Sequence, residues 1–228
     1  MKKADYSRPD YYSRMAKEKG FAARSVFKLA ELDSRYGILR HGMRVLDLGA
    51  SPGSWMQYCA EKVGGDGLVL GIDRKPLNRQ LKANERFMLS DVFMAETAAL
   101  RAQYGAFDLV LSDLAPETIG SKFTDSARSI ALAERACQFV EYLLKPGGKF
   151  LVKAFQGGDF DRLLKFLRTR FAKVLTTKPK SSRSSSREMY IYCQGFAKGG
   201  ATEVARPKLR ADRIVRGPGR EQWPSSRR

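Results

Sequence analysis

The 228-residue sequence is 43% hydrophobic, enough to bury one substantial core, and two independent domains would be cramped in it. No apolar run approaches the length of a membrane span. Three scattered cysteines (Cys59, Cys137, Cys193) and a single histidine, His41, argue against a disulfide framework or a zinc site, and a soluble cytoplasmic protein is expected.

The net charge of +18 is unevenly placed: residues 1–40 carry +5, residues 162–187 carry +9 with no acid, and residues 196–228 carry +6. What remains, 14 basic and 16 acidic groups, is close to neutral, as in an ordinary folded core. A polyanion such as RNA explains basic excess at three edges, because each neutralised phosphate releases counterions. Solubility alone explains one basic tail more readily than three separate segments. The asymmetry fits a monomer docking on a large RNA surface.

In chain order, a helix is predicted over residues 24–36, with Arg24, Lys28, Glu31 and Arg35 on one polar stripe by helical spacing. From residue 44, β-branched runs alternate with helical stretches, the signature of a parallel sheet with crossover helices. Strands are predicted at 44–48, 68–72, 86–89, 107–112, 149–155, 171–176 and 188–194, with helices at 54–63, 93–103, 124–144 and 159–170. Turns at residues 64–67 and 145–148 punctuate the pattern. The expected fold is a single α/β domain with a doubly wound, mostly parallel seven-stranded sheet. It occupies residues 41–196, between a basic segment at 1–40 and a basic, flexible tail at 197–228.

The first strand ends at Asp47-Leu48-Gly49, and Ala50-Ser51-Pro52-Gly53-Ser54-Trp55 turns into a helix. A dinucleotide site would place three glycines here against a pyrophosphate; this turn has Gly49 and Gly53 and a strand ending in an acid, which favours a cofactor with a cationic amino acid part. Asp47, Asp73, Asp91 and Asp113 fall at or just beyond the ends of four successive strands, where ligands bind in open α/β sheets. Asp73 lies 24 residues after Gly49, about the spacing of an acid that accepts from ribose hydroxyls, and Asp91 suits an adenine amino group. Singly, each is as well explained as a loop or capping acid; four in register are not. Trp55 suits either the cofactor or the core.

The strand at 149–155 carries Lys153 where apolar residues are expected. A buried ammonium is costly unless paired or deprotonated, so Lys153 is either functional or a lysine snorkelling at the strand's mouth. Residues 162–187, ending in a run of Lys, Arg and Ser, suit phosphates, although a flexible linker has a similar composition. Tyr6, Tyr11, Tyr12 and Phe21 either stack on bases or pack the leading helix.

Five motifs, at residues 24–29, 46–55, 112–116, 152–157 and 186–190, together resemble the FtsJ family of ribose 2′-O-methyltransferases over about residues 11–196. The resemblance implies S-adenosylmethionine as cofactor and a catalytic tetrad at Lys28, Asp113, Lys153 and Glu188. It implies cofactor contacts at Gly53, Trp55, Asp73, Asp91 and Asp113, and an antiparallel last strand that brings Glu188 to the site. It also implies a uridine of 23S rRNA in the large ribosomal subunit as substrate. Ser54 departs from the family, which usually has a second glycine after the proline.

In the implied reaction the ribose 2′-oxygen attacks the methyl carbon of the sulfonium in line, and S-adenosylhomocysteine leaves. Alignment alone is worth roughly 7–11 kcal/mol for well-oriented reactants. Lys153 is the candidate general base, Asp113 and Glu188 orient the lysine and hydroxyl, and Lys28 positions substrate or stabilises charge. A neutral Lys153 amine is favoured by Lys28 and the sulfonium and opposed by the two carboxylates. Rival readings are a transfer RNA or messenger-cap methyltransferase, a noncatalytic RNA-binding assembly factor, and a nicotinamide oxidoreductase. The last is disfavoured by the missing third glycine.

Overall fold

The computed structural model describes residues 11–182 and 186–197. Tyr6, the residues from 198 onward assigned to the basic tail, and Arg183 to Ser185 of the basic run lie outside the described residues. The elements run α1 (Tyr11–Glu18), α2 (Val26–Tyr36), β1 (Arg44–Leu48), α3 (Ser54–Val63), β2 (Leu68–Asp73), β3 (Glu85–Leu89), α4 (Thr97–Tyr104), β4 (Phe107–Ser112), α5 (Lys122–Leu143), β5 (Leu144–Phe155), α6 (Phe160–Arg168), β6 (Phe171–Thr177) and β7 (Glu188–Phe196).

The seven strands form one sheet in the order β3-β2-β1-β4-β5-β7-β6, with β7 alone running against the others. Strand order reverses between β1 and β4, so the crossovers leave to opposite faces there and open a crevice at the strand ends. Side-chain alternation divides the core. Leu46, Leu48, Leu70 and Val110 face α4, α5 and α6, while Val45, Val69, Leu109 and Leu151 face α2 and α3. Sheet strands buried on both faces are mostly apolar, which is why β1, β2 and β4 read as short apolar runs broken by single acids at most.

Beyond shifts of a residue or two at element ends, two boundaries and one helix differ from the sequence reading. The fourth helix starts at Thr97 rather than near 93, because Asp91 Oδ1 accepts the Phe93 N–H at 2.9 Å and the Asp91 carbonyl accepts from Met94 and Ala95. That local turn competes with helix. β5 begins at Leu144: pairing with β4 jumps from Phe107↔Leu144 to Leu109↔Lys149, so the Pro-Gly-Gly turn bulges from the strand instead of preceding it. Helix α1 was not anticipated; its eight residues bury only Ala16, leaving little apolar periodicity to read. Among the described residues no helix is long and apolar enough to cross a membrane.

Candidate active site

A cavity of about 580 Å³ opens at the C-terminal ends of β1 to β4, lined by Gly49, Asp73, Asp91, Val92, Phe93, Asp113 and Leu132 among others. This is within the roughly 300–1,000 Å³ of small-molecule sites. Each acid arrives by the same route, a parallel strand ending at the crevice. Backbone amides aim Asp73: its Oδ2 accepts from Ser51 N at 2.9 Å and its Oδ1 from Lys75 N at 2.8 Å. Gly49, at φ +82°, lets the β1 turn approach the β4 turn, since a Cβ there would sit 3.0 Å from Leu114 N.

Beside the cavity, two lysines and two carboxylates interlock. Lys153 Nζ donates to Asp113 twice, to its carbonyl at 2.6 Å and its Oδ1 at 2.8 Å. Lys28 Nζ lies 2.6 Å from Glu188 Oε1. Side-chain exposures of 7% for Lys153 and 10% for Glu188 mark both pairs as largely withdrawn from water. The assembly follows from strand periodicity. Lys153 pairs with Tyr190 and Phe155 with Glu188 across β5 and β7, so Lys153, Tyr190 and Glu188 emerge on one face, the face covered by α2 and Lys28. Only an antiparallel β7 puts its first residue at the end of β5.

Electrostatics keep the two carboxylates charged. Burial pushes the Asp113 carboxyl up, but Lys153, Lys28 and hydrogen bonds from Lys153 and Tyr190 overcome it and hold Asp113 below its ordinary 3.8. Glu188 behaves alike: burial raises it, and the Lys28 pairing, with Lys153 behind, brings it below 4.5. Burial, then Asp113 and Glu188, push the Tyr190 phenol well above 10, so it remains a donor and gives its proton to Asp113 Oδ1 at 2.7 Å. Tyr190 is a member of the constellation that sequence reasoning missed; its position two residues after Glu188 on one strand was the available signal.

Lys149, on the same strand, shows the contrasting use of a buried lysine. Its ammonium donates to the carbonyls of Gly37 and Ile38 at 2.6 and 3.0 Å, where α2 ends and carbonyls lack helical partners. That role is architectural. Lys153 has no helix end to satisfy and is turned to an acid that lines the cavity.

Of the proposed cofactor residues, Gly49, Asp73, Asp91 and Asp113 line the cavity, whereas Asp47, Gly53 and Trp55 do not. Asp47 is fully buried on β1 on the α2 and α3 side, with neither carboxyl oxygen hydrogen-bonded; burial, then Asp113 and Asp73, push it well above 3.8. Trp55 is 3% exposed, donates its indole N–H to Ser25 O at 2.8 Å and packs on Tyr190, so it belongs to the core. Gly53 is required by φ +109° and by Arg79, whose Nε would lie 2.6 Å from a Cβ. Ser54, the unusual residue of the turn, is buried and shares a 2.9 Å hydrogen bond with Ser25, tying α3 to the start of α2.

A switch point that gathers carboxylates, where dinucleotide folds present pyrophosphate-binding glycines, is the arrangement of Rossmann-like methyltransferases. Solved structures agree. A Plasmodium falciparum protein described as a ribosomal RNA methyltransferase superposes with TM-score 0.68 and 32% identity, covering 77% of this chain and 98% of that one. The fold alone is shared with human methyltransferase-like protein 13, solved in complex with SAH, at TM-score 0.53 and 14% identity, covering 77% and 84% of the two chains. The chain belongs to the FtsJ-like methyltransferase family, whose model matches residues 21–196. Similar proteins include the ribosomal RNA large subunit methyltransferase E of Desulfosudis oleivorans, 43% identical over 86% of this chain and 94% of that one. That of Oleidesulfovibrio alaskensis is 47% identical over 82% and 91%. A methyltransferase of this family uses a donor of the S-adenosylmethionine type.

Proposed function

We propose that the protein transfers a methyl group from S-adenosylmethionine to a ribose 2′-oxygen of RNA, a uridine of 23S rRNA in the large ribosomal subunit. The observation that carries this reading is the paired Lys153–Asp113 and Lys28–Glu188 cluster at the rim of an acid-lined cavity. The names of the similar bacterial proteins support the substrate assignment. Residues 41–196 form the methyltransferase domain, Lys28 joins its site from the leading helix, the basic segments at 1–40 and 197–228 meet RNA, and the protein works as a cytoplasmic monomer.

The cavity fits the donor. Carboxylates accept from hydroxyls and amines and repel phosphates, so Asp73 is assigned to ribose hydroxyls, Asp91 to the adenine amino group and Asp113 to the cationic end. Gly49 keeps the turn narrow, and Asp47, Gly53 and Trp55 support that turn from the core. When bound, S-adenosylmethionine would supply a methyl carbon on a sulfonium for in-line attack by the ribose 2′-oxygen, with S-adenosylhomocysteine as the leaving group. The chain's own residues then have two tasks. In its neutral form Lys153 takes the proton of the 2′-hydroxyl as the oxygen–carbon bond forms, with Asp113 accepting from its N–H and fixing the direction of its Nζ. Lys28 and Glu188 neutralise one another and hold the ribose against that amine.

Tritiated-methyl transfer to large subunits from cells lacking this protein, with free transfer RNA as the comparison, tests the reading. Label mapped to one ribose of 23S rRNA is the expected result; label on transfer RNA alone, or on no RNA, overturns it.

A further inference from the structure

The four residues on the polar stripe at α2 do not form a solvated face. All four reach the β6–β7 connection or the strand ends it joins. Arg24 Nη2 donates to Ser181 O at 2.7 Å, Lys28 pairs with Glu188, and Arg35 Nη1 donates to Thr177 Oγ1 at 3.1 Å. Glu31, one turn beyond Lys28, takes the backbone: its Oε1 accepts the Lys180 N–H at 3.0 Å and its Oε2 the Ser181 N–H at 3.4 Å. Ser181 is buried, while Lys178 and Lys180 before it are exposed. The connection closes through Lys178 Nζ, which donates to Ser186 O at 2.5 Å.

We propose that Glu31 is a positioning residue for RNA, holding the basic β6–β7 connection over the catalytic pair from the same helix that carries Lys28. This rests on the reading of the site as an RNA methyltransferase. The physical reason is the entropy of the connection. A carboxylate that receives two successive backbone N–H groups fixes where Lys180 projects, and a connection released from it must be ordered anew by each RNA, at the expense of affinity. The Lys28–Glu188 contact has independent support, because Glu188 is held by the β5–β7 ladder at Phe155. The donor cavity is lined by none of these residues. Loss of Glu31 therefore falls on RNA and spares the donor.

The test compares full-length wild type, Glu31→Ala and Glu31→Gln. RNA affinity is titrated with undermodified large subunits, donor affinity with S-adenosylhomocysteine, and methyl transfer is resolved into kcat and KM for RNA. The expected result is RNA binding weakened about tenfold or more in Glu31→Ala, as for a lost charge-assisted contact. Donor affinity and kcat stay near wild type, and Glu31→Gln, which keeps one acceptor, recovers part of the loss. Unchanged RNA affinity overturns the proposal. So does a parallel loss of donor binding and kcat, the mark of a merely structural residue. If wild type binds subunits in a Glu31-dependent way yet methylates none, the positioning role stands and the assigned reaction falls.

Discussion

Lys153 Nζ grips Asp113 at two atoms, the carbonyl at 2.6 Å and the carboxylate at 2.8 Å, and thereby ties the end of β5 to the end of β4. The same contact closes the sheet edge and holds a candidate base beside an acid that lines the cavity. Its removal has two separable consequences.

Lys153→Met keeps the stem's volume and removes the amine. Methyl transfer should fall by at least about 100-fold, the low end for a general base, while donor affinity changes little. Stability should drop by about 3–5 kcal/mol because Asp113 loses its buried partner. Tritiated-methyl transfer beside calorimetry with S-adenosylhomocysteine separates these effects; near-normal turnover removes Lys153 from the reaction.

Asp73 is aimed by two backbone amides, so its contribution belongs to donor binding. Asp73→Ala should weaken S-adenosylhomocysteine about tenfold to a hundredfold, as for a hydrogen bond involving a charge. Asp47→Asn, outside the cavity, should leave that affinity within about twofold. Equal effects from the two changes would contradict the cavity's lining.

The two low carboxylates give stability an acid dependence. Asp113 and Glu188 are held below 3.8 and 4.5 when folded. They bind fewer protons in the folded than in the unfolded chain, and their contribution is complete above those values and lost as pH falls through them. Tm should therefore decline on acidification below about pH 4.5, and Glu188→Gln should soften the decline. A Tm curve identical in the two proteins would show that Glu188 is not held low.

Asp47 runs the other way. Its folded carboxyl lies well above 3.8, so the stability it contributes is fully present below that value and lost as pH rises toward its folded value. Relative to wild type, Asp47→Asn should gain stability with rising pH, by at most about 1.4 kcal/mol per pH unit across that window. Denaturant titrations at pH 5 and pH 8 measure the difference; a gain independent of pH would mean that Asp47 is not the titrating group.

Much of this was legible in the residues. Short apolar runs at β1, β2, β4 and β5, alternating with helical stretches, announced a parallel sheet, and acids at the ends of successive strands announced a site there. Lys153 stood out because its run offered no polar neighbours to account for it. Trp55 left two readings open, because a tryptophan after a strand-turn has the same local pattern whether it meets a ligand or, as its bond to Ser25 shows, the core. Asp47 read like the three other acids, but the register aligns it with Gly71 and Leu111, two residues short of Asp73 and Asp113, so it shares their face and lies one pair deeper in the sheet.

The order of residues determined by itself the alternation of strands and helices, the carboxylates along one sheet edge and the surplus of positive charge at the flanks, because periodicity and composition act within a few neighbours. Tertiary structure alone decided that Lys28, Glu31 and Arg35 face the β6–β7 connection instead of water, and that Tyr190 donates to Asp113. Those partners are 77 to 160 positions apart in the chain. An amphipathic stripe specifies that a helix has a polar side; what that side meets depends on how the sheet is ordered and which strand is reversed.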